Sequence, residues 1–381
     1  MAAAVLAFRP ALLLPSLWPS LLLAAALCPL AARAETFEGR DICHCYVTGL
    51  SADGMAATGQ LSGSNQTFHW TWQGGAQALG RGTQRKLQTS AGTPAISADG
   101  KVVASTIIDS SQSYATQGRW TAETGWQQLM PPRPADGAIV DLYDGSVFGM
   151  SRDGKTITGL YWRNTGVGGL AHGSRWTEGG QVQDMGSSGN SSRIDDANAD
   201  GSVLVGWDEH PQYGNRRAAV WVNGVKTVLE DSDWPSEAGA INAAGTIIVG
   251  QAVDPATQMN GAAMWAWNGS QWMKKWLGVL PGTQPGGMAY ASALSDDGKT
   301  VVGTARRFFS PSNRGFIWTE ESGMVEAGKY FKDRGYNVGK KLAIQSVGAL
   351  SADGQVMGVS GIELATGLTR SIAVRRLPAA R

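Results

Sequence analysis

The chain has 381 residues, of which 51 are Gly and 15 Trp, with 17% charged residues, 43% hydrophobic residues and a formal charge of +1. So many aromatics exclude disorder, and the excess of Gly and Trp excludes a long helical rod. The even charge balance excludes a nucleic-acid binder, which needs a Lys/Arg surplus on one face to displace counterions from phosphate.

Residues 1–34 contain no Asp or Glu. An apolar stretch from Ala11 to Leu27, interrupted by Pro15 and Pro19, leads to Ala32-Arg33-Ala34. This is the pattern of a secretory signal peptide with cleavage after Ala34, and the two prolines argue against a retained membrane helix. No later segment reads as a membrane span, so the expectation is a secreted or periplasmic protein in a single domain, 35–381.

Next comes Cys43-His44-Cys45, the only cysteines beyond the leader. In an oxidising compartment the pair is expected as a disulfide, with two buried thiols as the alternative. Two further metal ligands are missing from nearby sequence, so no metal site is expected.

From residue 51 onward one motif recurs seven times, roughly 50 residues apart. Its copies start at Ser51, Ser97, Ser151, Asn198, Asn242, Ser295 and Ser351, and read small-x-Asp-Gly, except that Ala244 replaces Asp in the fifth. An apolar residue precedes each copy and a β-rich run usually follows, which predicts a strand, a tight turn and a second strand. Ser or Asn bonds the turn backbone, and Gly supplies the left-handed conformation at the fourth position. A second Gly follows at 59, 159, 206, 250 and 303, expected at a strand end or a close approach between neighbouring sheets. A third strand is marked by Trp120, Trp221, Trp265 and Trp318, with Trp176 shifted by two residues, Val374 in the last copy and Trp70 or Trp72 in the first.

Four short strands per unit and no helical periodicity predict an all-β, seven-bladed β-propeller of four-stranded antiparallel blades. The last unit lacks room for its fourth strand, so a segment near Thr36 to Gly39 is expected to supply it.

Gly149-Met150-Ser151-Arg152-Asp153-Gly154, Val301-Val302-Gly303 and Arg119-Trp120-Thr121 resemble the units of the extracellular HAF-repeat family, a resemblance that extends from about Gly49 to the C-terminus. It implies the fold and little about activity. Ser97-Ala98-Asp99-Gly100-Lys101 is similar to the turn of TolB-type propeller repeats. Sialidase Asp-boxes carry a Trp after the turn that none of the seven copies has, so sialidase chemistry is not implied.

The motif turns are short and uniform, whereas the loops at the opposite face are long and variable, and binding usually resides on such loops. The candidate ligand-binding residues are Tyr161, Trp162, Arg163 and His172 in the third unit, Trp207, His210 and Tyr213 in the fourth, and Arg306, Arg307 and Phe308 in the sixth. Exposed aromatics beside polar groups suit a glycan or peptide. Catalytic residues cannot be named, because the sequence has no nucleophile elbow, phosphate loop or metal-spaced pair; no cofactor is expected. The expectation is a monomeric, non-catalytic binding or scaffold protein with a protein or carbohydrate partner. The alternative is a carbohydrate-active enzyme with two carboxylates at the channel mouth.

Overall fold

A computed structural model describes residues 35–64, 66–83, 92–109, 114–129, 139–164, 169–307 and 312–378, all within the unit Ala34–Arg381. Each motif turn joins the first two strands of a four-stranded antiparallel meander. Residues 45–83 and 192–228 form separate sheets. Residues 95–129 and 139–184 are two meanders touching through one parallel bridge, as are 236–278 and 288–326. In the last sheet the strands run Leu342–Leu350, Val356–Glu363 and Thr369–Leu377, and the N-terminal strand Thr36–Cys43 pairs antiparallel at the edge, Thr36 opposite Leu377. Among the described residues the regular structure is thus almost wholly β, with one short α-helix, Ala327–Asp333, and one 3-10 turn, Val338–Lys340, after the sixth meander.

The motif chemistry explains the turns. In the five Ser copies the hydroxyl donates to the motif Asp, as in Ser51 Oγ to Asp53 Oδ1 at 2.6 Å, and accepts the N–H five residues on. The same Asp oxygen accepts the N–H two residues further along. Asn242 alone accepts the N–H groups of Thr246 and Ile247, so the turn at Ala244 closes without the carboxylate. Every motif Gly has φ between +69° and +73°, a region where a Cβ is costly.

The turns also bond to one another. Ala52 N–H donates to Ala98 C=O, Ala98 to Arg152, Asp153 to Ala199, and Ala199 to Ala243. Ala243 N–H then donates to the Asp296 carboxylate, Asp296 to Ala352 C=O, and Ala352 to Ala52 C=O at 2.9 Å. The series returns to its start, so the first and last meanders are neighbours. Apolar packing says the same: Val47, Ala57 and Trp70 share a core cluster with Ala349, Val356 and Ala373.

Between neighbouring sheets lie the repeated tryptophans. Trp70, Trp176, Trp221, Trp265 and Trp318 are buried, each able to remove about 150–250 Å² from water. Trp120 is half-buried and lines a cavity of about 880 Å³ beside His69 and Trp72.

Candidate functional site

The first strand of each meander lines a central cavity of about 600 Å³. These strands enter from the long-loop end and leave at the motif turn. In six of them one residue, three before the motif, is skipped by the pairing: Thr48, Phe148, Asp195, Gly239, Ser292 and Gly348. This is a β-bulge, which bends the strand and re-aims its side chains. The second recurring Gly makes it possible. A Cβ on Gly59, Gly159, Gly206, Gly250 or Gly303 would collide with the carbonyl of Tyr46, Ser146, Arg193, Glu237 or Tyr290, respectively. The close approach is therefore within one sheet, where the sequence pointed to a strand end or a contact between sheets.

The bulge positions carry small or apolar residues except Asp195, and the position two residues ahead of the bulge carries Arg193, Glu237 and Tyr290 in three consecutive strands. Strand Ser192–Ala197 places Arg193, Asp195 and Asp196 on the cavity wall, Ser236–Ile241 places Glu237, and Met288–Leu294 places Tyr290. Arg193 Nε donates to Asp195 Oδ1 at 2.6 Å and Nη2 stands 3.7 Å from Glu237 Oε2. Arg216 Nη1 donates to Glu237 Oε1 at 2.5 Å. The Arg193 guanidinium lies 4.2 Å from the centre of the Phe148 ring, and Arg216 4.4 Å from that of Trp207, which sets both planes against aromatic faces. Gly239 leaves room for the ring above this cluster, because a Cβ there would strike the Tyr290 hydroxyl.

Burial governs the ionisation here. It pushes the Asp195 carboxyl up to about 6, with Glu237 adding to the rise and Arg193 opposing it. It pushes Asp196 up to about 6 as well, against Arg152 and the N–H of Ile241. Tyr290 is held far above its ordinary value by burial and then by Asp195 and Glu237, and stays a neutral phenol. Burial disfavours the Arg193 charge, yet Asp195 and Glu237 outweigh it and keep the guanidinium charged.

Arg152 reaches from the third turn to Asp296 of the sixth, nearly opposite in the series, at 3.4 Å. These are the two motif copies whose second position bears a charge, and they meet.

The residues expected to bind from the long loops are dispersed. Tyr161 is 1% exposed, and its ring packs against His172, which bonds Asp184 at 2.9 Å. Burial opposes ionisation of Asp184, but hydrogen bonds from His172, Tyr161 and Gly186 hold its pKa at about 2. Trp162 is half-buried, and Arg163 contributes its backbone to the ladder opposite Leu170. Trp207 is 4% exposed and belongs to the charged cluster through Arg193 and Arg216. His210 and Tyr213 stack on each other at 4.5 Å in an exposed turn, where the His210 ring accepts two backbone N–H groups. Arg306 and Arg307 are exposed, the latter bonded to Pro281 C=O. Phe308 lies outside the described residues.

The neighbouring Asp208 and Glu209 are committed elsewhere. Asp208 is fully buried and pairs with Lys226 and Arg217; Glu209 accepts the N–H groups of Asn190 and Ser191. Cys43 and Cys45 are joined in a disulfide across the bend at His44, where the edge strand of the last sheet passes into the first meander. Among the described residues no group of three or more His, Cys, Asp or Glu is arranged to hold a metal, and no helix is long and apolar enough to cross a membrane.

Comparison with solved structures defines the class: the chain has a β-propeller fold. Oligogalacturonate lyase from Vibrio parahaemolyticus superposes with a TM-score of 0.55 at 10% identity, covering 90% of this chain and 97% of that one. The propeller domain of the Trilobed protease from Pyrococcus furiosus gives 0.54 at 14%, covering 88% and 99%. TolB from Acinetobacter baumannii is a more distant likeness, 0.45 at 16%, covering 74% of this chain and 61% of TolB. At such identities the likeness is one of fold alone. No family model and no curated protein sequence matches the chain.

Proposed function

We propose that the protein is an exported, seven-bladed, non-catalytic binding propeller whose ligand enters the central channel from the long-loop end. The blade count rests on the seven motif turns bonded in series, with Ala352 returning to Ala52. Export rests on the leader-like residues 1–34. One observation carries the binding reading: the channel wall is small or apolar around most of the ring, and Arg193, Asp195, Glu237 and Tyr290 are concentrated on one arc. Burying charge costs stability, and a fold that accepts uncharged residues at the same offsets in its other copies, such as Gly92, Ser146 and Ser346, gains nothing structural from it. Trp207 and Arg216 connect the arc to the fourth loop, so part of the variable face belongs to the same site.

A second reading, a carbohydrate-active enzyme, is favoured by the meeting of Asp195 and Glu237 on one guanidinium, with Asp195 protonated more readily than an ordinary carboxylate. The binding reading is preferred because both Glu237 oxygens are already engaged, Oε1 by Arg216 and Oε2 by Arg193, which leaves neither directed at a substrate. A glycan and peptide array probed with the wild type and with Glu237→Gln decides between them. Binding that weakens in the variant, without turnover of the bound compound, supports the proposal; cleavage abolished by the variant supports the enzyme.

A further inference from the structure

The channel has an unbalanced charge, and its location points to a ligand class. Arg152 and Arg193 line the cavity against Asp195, Asp196 and Glu237. Behind this wall Arg216 pairs with Glu237 and Asp296 with Arg152, one charge of each sign, so an excess of one negative charge remains. By pairing, the excess falls on Asp196, which accepts the N–H of Ile241, and the open acceptor lies beside it on Asp195 of the same strand. Arg193 Nε occupies Asp195 Oδ1, while Oδ2 of the same carboxylate, in a side chain 6% exposed, receives no hydrogen bond. A buried acceptor left unpaired costs about 1–3 kcal/mol, more when charged, and a donor brought by a ligand recovers it. Three aromatic side chains, Tyr46, Phe148 and Tyr290, line the same cavity.

Resting on the reading of the channel as the binding site, we propose that its ligand is an organic cation. An alkylammonium or guanidinium group donates to Asp195 Oδ2, and its apolar portion lies along the aromatic rings. A neutral sugar could satisfy the oxygen but would leave the charge uncompensated, and an anion would add to it. Entry is from the long-loop end, since Arg152 bonded to Asp296 crosses the other mouth.

The charge requirement makes binding depend on pH in one direction. The groups facing Asp195 are Arg193 on its own strand, Arg216, Glu237 and Tyr290. Arg193 stays charged and Tyr290 stays neutral across the working range, whereas Asp195 and Asp196 both titrate near pH 6. Acidification through that value removes negative charge and weakens cation binding.

The test is isothermal titration of the purified protein with agmatine, cadaverine and choline chlorides, beside maltotetraose as a neutral probe and citrate as an anionic one. The expected result is saturable binding of at least one cation at pH 7.5, weakened at least tenfold by Asp195→Asn and about tenfold at pH 5. Phe148→Leu, which changes no charge, weakens it several-fold, and thermal melts check that both variants fold. Failure of all three cations to bind at millimolar concentration overturns the proposal, as does cation binding unchanged in both variants. Maltotetraose or citrate binding that Glu237→Gln weakens, with no cation bound, overturns the cation and leaves the channel reading standing. Array ligands whose binding no channel variant alters overturn both.

Discussion

The two ends of the channel are built from the same seven repeats and have opposite characters. At the motif-turn end the copies are nearly interchangeable: Ser or Asn, Asp and Gly satisfy one another locally, and the backbones bond turn to turn. At the long-loop end the copies diverge along the channel-lining strands, at Asp195 in a bulge and at Arg193, Glu237 and Tyr290 two residues ahead of the bulges, and most of the divergence is charged. The comparison teaches that in a repeat protein the shared residues hold the scaffold, while a departure from the repeat that costs burial energy marks the site.

The comparison can be broken most forcefully through the scaffold. Trp265→Ala removes a fully buried ring from between two sheets and is expected to cost about 4 kcal/mol, whereas Tyr213→Ala in the exposed turn should stay within about 0.5 kcal/mol. Denaturant unfolding of the two variants measures the contrast; equal losses would show that the sheets do not depend on the tryptophan layer. Gly54→Ala combines a φ of +71° with a collision against Val356 of the last meander and should cost about 2–3 kcal/mol. Gly63→Ala, at φ +84° with open space around it, should cost about 1 kcal/mol from backbone strain alone.

The site end gives a pH signature of its own. The folded protein holds protons on Asp195 and Asp196 up to about pH 6, the unfolded chain only to about 4, so stability falls as pH rises through that window. The expected loss is roughly 2 kcal/mol per carboxylate, read from unfolding midpoints between pH 4 and 7, and the double variant Asp195→Asn/Asp196→Asn should flatten the slope. Asp184 has the opposite sign: its stabilisation is complete above pH 4 and disappears as pH falls toward 2. A small effect also belongs to Arg152→Met, which should cost under about 1 kcal/mol because its partner Asp296 is 38% exposed, yet it should open the motif-turn mouth in a crystal structure.

Much of the scaffold was legible in the sequence because repetition makes it so. The turn chemistry, the buried tryptophans and the N-terminal edge strand all follow from residues recurring at fixed offsets. The edge strand is longer than Thr36 to Gly39 indicated, since Arg40, Asp41 and Cys43 also pair with the last strand. The charged arc was not legible from local pattern. Arg193, Glu237 and Tyr290 are far apart in the chain, each looks like an ordinary strand residue, and only folding brings them to one wall. A signal did exist: placed at the same offset before the motif, these three stand where other copies have Tyr46, Gly92, Ser146 and Ser346. Arg152 and Asp296 give the same signal at the motif's second position, which is Ala in the other five copies. Exposure misled the loop reading, because Tyr161 and Trp207 stand near charged residues in sequence, Arg163 and Asp208, but are buried in the fold.

The most direct test of the account is a crystal structure of the protein soaked with a compound that it binds in solution. Density enclosed by Arg193, Asp195, Phe148 and Tyr290 is the predicted result. Density confined to the outer loops around Trp162, Tyr213 or Arg306, with the channel unoccupied, would contradict it.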